Sequence, residues 1–202
     1  MNVGIVVGSH RQDSQSAKVA GALSAQLKAR GHATWVRDLG KDPLPMWDEE
    51  LGSGEGRWAG LPELHQQLGD SDAFIIVCPE WHGMATAAIK NFFLLCNVHS
   101  GLAHKPALIT TVSVGDGGAY VVSELRTSSY KNSRLCYIPE QLVVRNVRQV
   151  FNDNPADNNA EAQEYFVARS GYALDLLIAY ARALGDVRGS GVVDLETYPN
   201  GM

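Results

Sequence analysis

Five short apolar runs alternate along this chain with segments that repeat apolar residues at helical spacing. The runs cover residues 2–8, 33–39, 72–78, 106–113 and 141–147. Runs that are apolar throughout are typical of strands buried on both faces, as in a parallel sheet covered by helices. The alternation therefore predicts an α/β fold with a five-stranded parallel sheet and helices on both faces.

Apolar stripes place the helices between and after these strands. They predict helices over residues 14–30, near 61–68, after Pro79, over 119–135 and at the end of the chain. In the last helix the predicted buried stripe is Leu174, Leu177, Ile178 and Ala181. Residues 40–56 contain prolines, glycines and an acidic run, which predict a long loop. The tail from residue 185 has no clear pattern.

Length and charge exclude several classes of protein. The 202 residues are 45% hydrophobic, which suits one domain over residues 1–202 that ends in a tail at 185–202. The net charge is −5 and there is no long basic run, so we expect no nucleic-acid partner. No signal peptide and no membrane span is predicted. An odd number of cysteines (Cys78, Cys96 and Cys136) favours a reducing compartment and a cytoplasmic protein.

Ligands of such sheets bind outside the carboxyl ends of the strands, where the strand order reverses. The informative loops are therefore residues 8–16, 79–84 and 113–118. Cys78, His82, His99 and His104 form no complete ligand spacing, so no metal site is predicted. The acids at 48–50 are expected to be solvated.

The first of these loops combines three hydroxyls with a fixed positive charge. Ser9, Ser14 and Ser16 can donate to phosphate oxygens, and Arg11 is the only fixed cation in the loop. The following helix adds the N–H groups and the positive dipole end of its first turn. The pattern predicts a phosphate cradle. The alternative is that Asp13 or Ser14 only caps the helix and Arg11 is solvated.

Four stretches of the chain resemble the NADPH-dependent FMN reductase family, which has a flavodoxin-like fold. The stretches are GSHRQDSQSAKVA (8–20), LPMWDEEL (44–51), PEWHGMATAAIKNF (79–92) and SVGDGGAYVVSELR (113–126). They occur in the family's order, and the resemblance covers about residues 2–184.

The resemblance implies non-covalently bound FMN. It implies that the phosphate is held by Ser9, Arg11, Ser14 and Ser16. It implies that the isoalloxazine is lined by Pro79, Glu80, Trp81, His82 and Gly83 on one side and by Ser113, Gly115 and Gly118 on the other. No side chain is implied as a catalytic nucleophile, because the flavin N5 carries the chemistry.

Two pairs of residues depart from the family pattern. Trp81-His82 replaces the usual Tyr-Asn, and Thr86-Ala87 replaces the usual Pro-Gly. We expect Trp81 to contact the flavin, and a His82 side chain beside the ring to make the flavin potential depend on pH. The alternative is that His82 points into solvent and only its backbone borders the ring. Phe92 and Phe93 are expected in the core.

The resemblance implies an NAD(P)H-dependent oxidoreductase that passes electrons through the flavin to a small acceptor such as a quinone or free flavin. It also implies a homodimer or homotetramer, and Trp47 and Trp58 are expected to be exposed at a contact surface. Two alternatives stay open: a flavodoxin-type electron carrier, which Arg11 disfavours, and a non-catalytic redox sensor. The sequence does not choose between NADH and NADPH.

Overall fold

The structure, a computed structural model, describes residues 1–201. Five strands alternate with five α-helices along these residues. The elements are β1 (Asn2–Val7), α1 (Gln15–Ala29), β2 (Ala33–Asp38), α2 (Leu61–Gly69), β3 (Ala73–Pro79), α3 (Ala87–Leu94), β4 (Pro106–Val112), α4 (Ala119–Thr127), β5 (Cys136–Val144) and α5 (Ala160–Gly189). Short 3₁₀ turns lie at Gly56–Trp58, Val147–Gln149 and Pro155–Asp157.

The strands form one sheet in the order β2-β1-β3-β4-β5, and every neighbouring pair is parallel. The predicted five-stranded parallel sheet is therefore confirmed. The order reverses between β1 and β3, which opens a crevice at the carboxyl ends of these two strands. The Gly8 N–H donates to the Val77 carbonyl at 2.8 Å, so the sheet pairing continues to the edge of this crevice.

Alternate residues of β1 pack on opposite faces of the sheet. Val3, Ile5 and Val7 join a core cluster with α1 and α5, whereas Val6 joins a cluster with α2, α3 and α4. The predicted stripe of α5 lies in the first cluster and Phe92 and Phe93 lie in the second, as expected. Each such burial stabilises the fold by about 1.5–3 kcal/mol before entropy is counted.

Two boundaries differ from the sequence prediction. β5 begins at Cys136 and ends at Val144, and its pairing with β4 is irregular between Ala107 and Ile109. Pro139 lies on β5 between Tyr137 and Gln141, the partners of Ala107 and Ile109, and it has no N–H for a ladder bond, which hides the start of the strand in the sequence. The helix expected over 119–135 ends at Thr127, because Ser128 and Ser129 donate back to the carbonyls of Glu124 and Leu125.

The structure also differs from the sequence prediction at the end of α5 and at Trp58. α5 continues through Gly189, past the point at 185 where the pattern ends in the sequence. The expectation that Trp58 is exposed was wrong, since only 1% of it is accessible, whereas Trp47 is 51% exposed. The Trp58 indole N–H donates to Asp48 Oδ1 at 3.2 Å, so the loop folds over this ring and satisfies its polar atom. No helix among residues 1–201 is long and apolar enough to cross a membrane.

Candidate functional site

A cavity of about 330 Å³ lies at the carboxyl edge of the sheet, between the first turn of α1 and the ends of β3 and β4. It includes nine of the twelve residues that the sequence assigns to cofactor binding: Ser9, Arg11, Ser14, Ser16, Pro79, Glu80, Trp81, Ser113 and Gly115. The remaining three, His82, Gly83 and Gly118, do not line it. Three loops that are far apart in the chain therefore meet at one place.

The first turn of α1 provides hydrogen-bond donors to this cavity. Ser14 is the N-cap, and its Oγ accepts from the Ala17 N–H at 2.9 Å, so this hydroxyl stabilises the helix as the capping alternative expected. Ser9 and Ser16 are both buried at 2% exposure. The first turn carries no acidic side chain that would compete for its N–H groups.

The Arg11 guanidinium lies over the indole of Trp81, with its carbon 5.6 Å from the ring centroid. The His10 ring lies 5.5 Å from the same indole and is tilted by 32°. Among residues 1–201 the Arg11 side chain makes no salt bridge. Its charge is therefore available to an anion at the helix N-terminus.

A tight turn follows β3. The backbone groups of Trp81 and Met84 bond reciprocally, at 3.1 and 3.0 Å, around His82 and Gly83. Both central residues have positive φ, at 52° and 73°, which defines a type I′ turn. Asparagine followed by glycine is the preferred pair for this turn, so His82 occupies a position that favours asparagine. His82 itself is exposed and its side chain does not line the cavity.

The Glu80 carboxylate connects this loop to the start of α4. Its Oε2 accepts from the backbone N–H groups of Gly118 and Tyr120, at 2.8 and 3.2 Å. Gly118 is buried and has φ 109°, and a Cβ there would lie 2.8 Å from the Val143 side chain. Glu80 thus caps a helix, and Gly118 is required by packing and backbone conformation.

A hydroxyl missed by the sequence reasoning connects the first and second loops. Thr86 Oγ1 donates to the Gly8 carbonyl at 2.5 Å, and the same oxygen caps α3. A Cβ at Gly8 would lie only 2.1 Å from Ile89, so the two segments approach as closely as glycine allows. The Thr86 side chain therefore cross-links the loop after β1 to the start of α3.

Asn91 was also missed, although it lies in the quoted stretch at 79–92. Its amide donates to the Pro45 carbonyl and accepts from the Trp47 N–H, both at 2.8 Å. The side chain is buried, so it clamps the 44–51 loop against α3. Two of the stretches that resemble the family are therefore in direct contact.

Arg148 is a second guanidinium at the cavity, and it comes from outside the 8–16 loop, in which Arg11 remains the only fixed cation. It follows β5 in the 3₁₀ turn Val147–Gln149. Arg148 directly follows the fifth predicted strand, at residues 141–147, so the rule that carboxyl ends gather at one edge would have found it had this loop been considered with the other three.

The thiol nearest to the site is unreactive at neutral pH. Burial raises the pKa of the Cys78 thiol to about 11, so it remains protonated. No group of three or more His, Cys, Asp or Glu side chains within the described residues is arranged to hold a metal ion. The cavity therefore presents serine hydroxyls, the N-terminus of α1 and two arginines at the carboxyl edge of the sheet.

Residues 1–149 match the family model described as NADPH-dependent FMN reductase. Because the match covers more than half of the chain, the protein belongs to this family. The family resemblance and the flavodoxin-like fold expected from it are both confirmed.

Relatives at the sequence level carry names of quinone-reducing enzymes. A quinone reductase from Pseudomonas putida is 30% identical over 122 residues, which is 59% of this chain and 63% of that protein. An FMN-dependent NADH:quinone oxidoreductase from Shewanella frigidimarina is 23% identical over 190 residues, or 85% of this chain and 94% of that protein. The match thus covers less than two thirds of the Pseudomonas putida enzyme.

Solved structures agree on the fold. The flavoenzyme NAD(P)H:acceptor oxidoreductase of Paracoccus denitrificans superimposes with a TM-score of 0.67 at 19% identity, covering 90% of this chain and 97% of that one. A structure described as an NADH:FMN oxidoreductase gives a TM-score of 0.61 at 16% identity, covering 100% and 94%.

Proposed function

We propose that this protein binds FMN and is an NAD(P)H-dependent oxidoreductase that passes electrons to a small acceptor, a quinone or free flavin. The observation that carries the proposal is the convergence of three strand-end loops on one cavity that combines phosphate donors with glycine-flanked backbone. Family membership gives this geometry its chemical interpretation.

The residues present fit FMN. A volume of about 330 Å³ lies within the usual range of ligand sites. The donors at one end are hydroxyl, amide and guanidinium groups, which suit a phosphate. At the other end, a Cβ built on Gly115 meets no heavy atom within 4 Å, so the loop after β4 leaves open space for a flat ring.

Each loop has a distinct task in this proposal. Arg11, Ser9, Ser16 and the first turn of α1 bind the phosphate. The backbone of the 79–83 and 113–115 loops borders the ring, and Trp81 covers one edge of it. When bound, FMN supplies two-electron transfer between the nicotinamide and the acceptor. The protein contributes position and electrostatics, and no side chain forms a covalent bond.

A second, mostly apolar cavity supports an apolar acceptor. It has a volume of about 220 Å³ and lies next to Trp81, because His10 contacts the indole and also lines this cavity. Its other walls are Leu39, Pro43, Leu44, Met46, Ala88 and Asn91. A quinone ring suits such a surface, in agreement with the names of the sequence relatives.

The proposal includes a homodimer or homotetramer and a cytoplasmic location. Leu94 on α3 and Tyr120 on α4 are 61% and 72% exposed, which gives these two helices an apolar outer surface. Cys78, Cys96 and Cys136 are all free thiols, as a reducing compartment favours. Sedimentation at micromolar concentration tests the assembly, and a monomer would refute it.

Stopped-flow spectroscopy tests the function. The FMN-loaded protein is mixed anaerobically with NADH or NADPH and then with a benzoquinone, and the flavin absorbance is followed. We expect bleaching by at least one nicotinamide and recovery with the quinone. Reduction by dithionite but by neither nicotinamide would favour the electron carrier. Nicotinamide reduction with no transfer to quinone or free flavin would favour the sensor. A protein that fails to bind FMN at tens of micromolar would refute the whole proposal.

A further inference from the structure

We propose that Arg148 is a second phosphate-binding arginine, which selects a phosphate-monoester dianion together with Arg11. The inference rests on the proposed function, since FMN carries that group. It assigns specificity to a residue outside the four stretches 8–20, 44–51, 79–92 and 113–126.

The backbone that carries Arg148 is fixed against the loop after β4. The Val147 N–H donates to the Ser113 carbonyl at 3.1 Å, and the Asn146 N–H donates to the Gly115 carbonyl at 3.2 Å. Asn146 has φ 49°, so the chain turns after the end of β5 into the 3₁₀ turn Val147–Gln149, from which Arg148 lines the cavity. Arg148 is thus attached to the part of the site that borders the ring.

A lysine from α1 fixes the same segment from the phosphate side. Lys18 Nζ donates to the Val147 carbonyl at 2.8 Å and to Asn152 Oδ1 at 2.6 Å. Asn152 in turn donates to the Arg148 carbonyl at 2.8 Å. Lys18 lies one turn after Ser14, the N-cap of α1. This network places the guanidinium-bearing residue beside the same helix N-terminus that Arg11 flanks.

The charges around the cavity leave both arginines available. Within residues 1–201 neither guanidinium makes a salt bridge, and that of Arg148 makes no hydrogen bond. Two carboxylates also line the cavity, Asp13 and Glu80. Glu80 is engaged by the N-terminus of α4. A phosphate dianion facing Asp13 needs more than one positive charge, and Arg148 supplies the second.

A phosphate monoester occurs in two molecules of the proposed reaction, as the 5′-phosphate of FMN and the 2′-phosphate of NADPH. The structure favours FMN, because Arg148 shares its cavity with Arg11, Ser9 and Ser16. Binding measurements with FMN and riboflavin and kinetics with NADPH and NADH separate the two sources.

The test compares Arg148→Ala with Arg182→Ala, which removes the same charge from an exposed position on α5. Dissociation constants for FMN and riboflavin are measured by quenching of flavin fluorescence on stripped protein. For Arg148→Ala we expect FMN affinity to fall by about tenfold to a hundredfold, with riboflavin changed less than about twofold. Arg148→Lys should recover part of the loss, and Arg182→Ala should change neither ligand.

Equal losses for FMN and riboflavin, or no loss, would overturn the inference. Unchanged FMN affinity with a raised KM for NADPH, and not for NADH, would also overturn the inference. It would show that Arg148 binds the 2′-phosphate of NADPH. FMN binding by the wild-type protein is measured first. If the wild type does not bind FMN, the proposed function is wrong; if it binds FMN and Arg148→Ala binds it equally well, only the inference about Arg148 is wrong.

Discussion

The loop after β1 and the two loops after β3 and β4 border the same cavity, but their polar groups are used differently. After β1, the Arg11 guanidinium has no carboxylate partner among the described residues, and the Ser9 and Ser16 hydroxyls are buried at the start of α1. After β3 and β4, the main polar groups bond to one another, as Glu80 does to the N-terminus of α4.

This difference indicates that the first loop recognises the ligand, whereas the other two loops give the cavity its shape. The first loop offers charge and donors to a ligand, so substitutions there should change affinity. The other two loops are held by internal bonds and present backbone to a ring, so substitutions of the residues that make those bonds or pack against a neighbour should change stability first. Four substitutions test that division.

The largest effect is expected for Gly118→Ala. A side chain at φ 109°, with its Cβ 2.8 Å from the Val143 side chain, combines left-handed strain with overpacking. We therefore expect the free energy of unfolding, measured in urea, to fall by about 2–5 kcal/mol. Gly115→Ala is the matched control, since its Cβ meets open space; its stability should change by less than about 0.5 kcal/mol while flavin affinity falls. Similar stabilities for the two variants would contradict the division.

Arg11→Ala should act on affinity alone. We expect FMN to bind about tenfold to 150-fold more weakly, the equivalent of about 1.5–3 kcal/mol for a charge-assisted bond, with riboflavin little changed. Fluorescence titration of both flavins measures this, and the urea midpoint should stay constant. If both flavins weaken equally, Arg11 does not contact the phosphate.

Glu80→Gln should weaken the start of α4. The amide keeps the shape but loses the charge that faces two backbone N–H groups; the expected cost is about 0.5–2 kcal/mol in thermal unfolding. Glu49→Gln, in the exposed part of the 40–56 loop, serves as the control. Equal melting temperatures for the two variants would show that the cap contributes nothing.

His82→Asn should have the smallest effect. Asparagine suits the left-handed position of a type I′ turn, so stability should change by no more than about 0.5 kcal/mol. Because the imidazole is exposed and outside the cavity, redox titrations of both proteins between about pH 5.5 and 7.5 should superimpose. A flavin potential that depends more steeply on pH in the wild type would show that the His82 side chain acts on the ring.

The sequence predicts the fold and most of the site for one physical reason. Continuous apolar runs identify buried parallel strands, and parallel strands bring their following loops to one edge. The convergence of Arg11, Trp81 and Ser113 on one cavity follows from that rule with no knowledge of side-chain positions.

What the sequence does not predict depends on local geometry. Gly118 and Gly115 look alike in a glycine-rich turn, but only the first is buried against Val143. The burial of Trp58 depends on how a long loop folds over it, which no periodicity encodes. Arg148 directly follows the fifth predicted run, but no glycine or serine beside it marks a ligand loop, so its place depends on how the 147–149 turn packs against the loop after β4.

The hydrogen bond from Thr86 to the Gly8 carbonyl joins residues 78 positions apart. The residues that line the cavity extend from Ser9 to Arg148, so the cavity is complete only when residue 148 is in place. During synthesis the ribosome must therefore release most of the chain before the site can exist. Contacts of such long range form late, so we expect the cofactor to stabilise a nearly finished sheet and not to template its first strands. Adding FMN should therefore leave the rate constants of the early refolding phases unchanged and lower only the rate constant of unfolding.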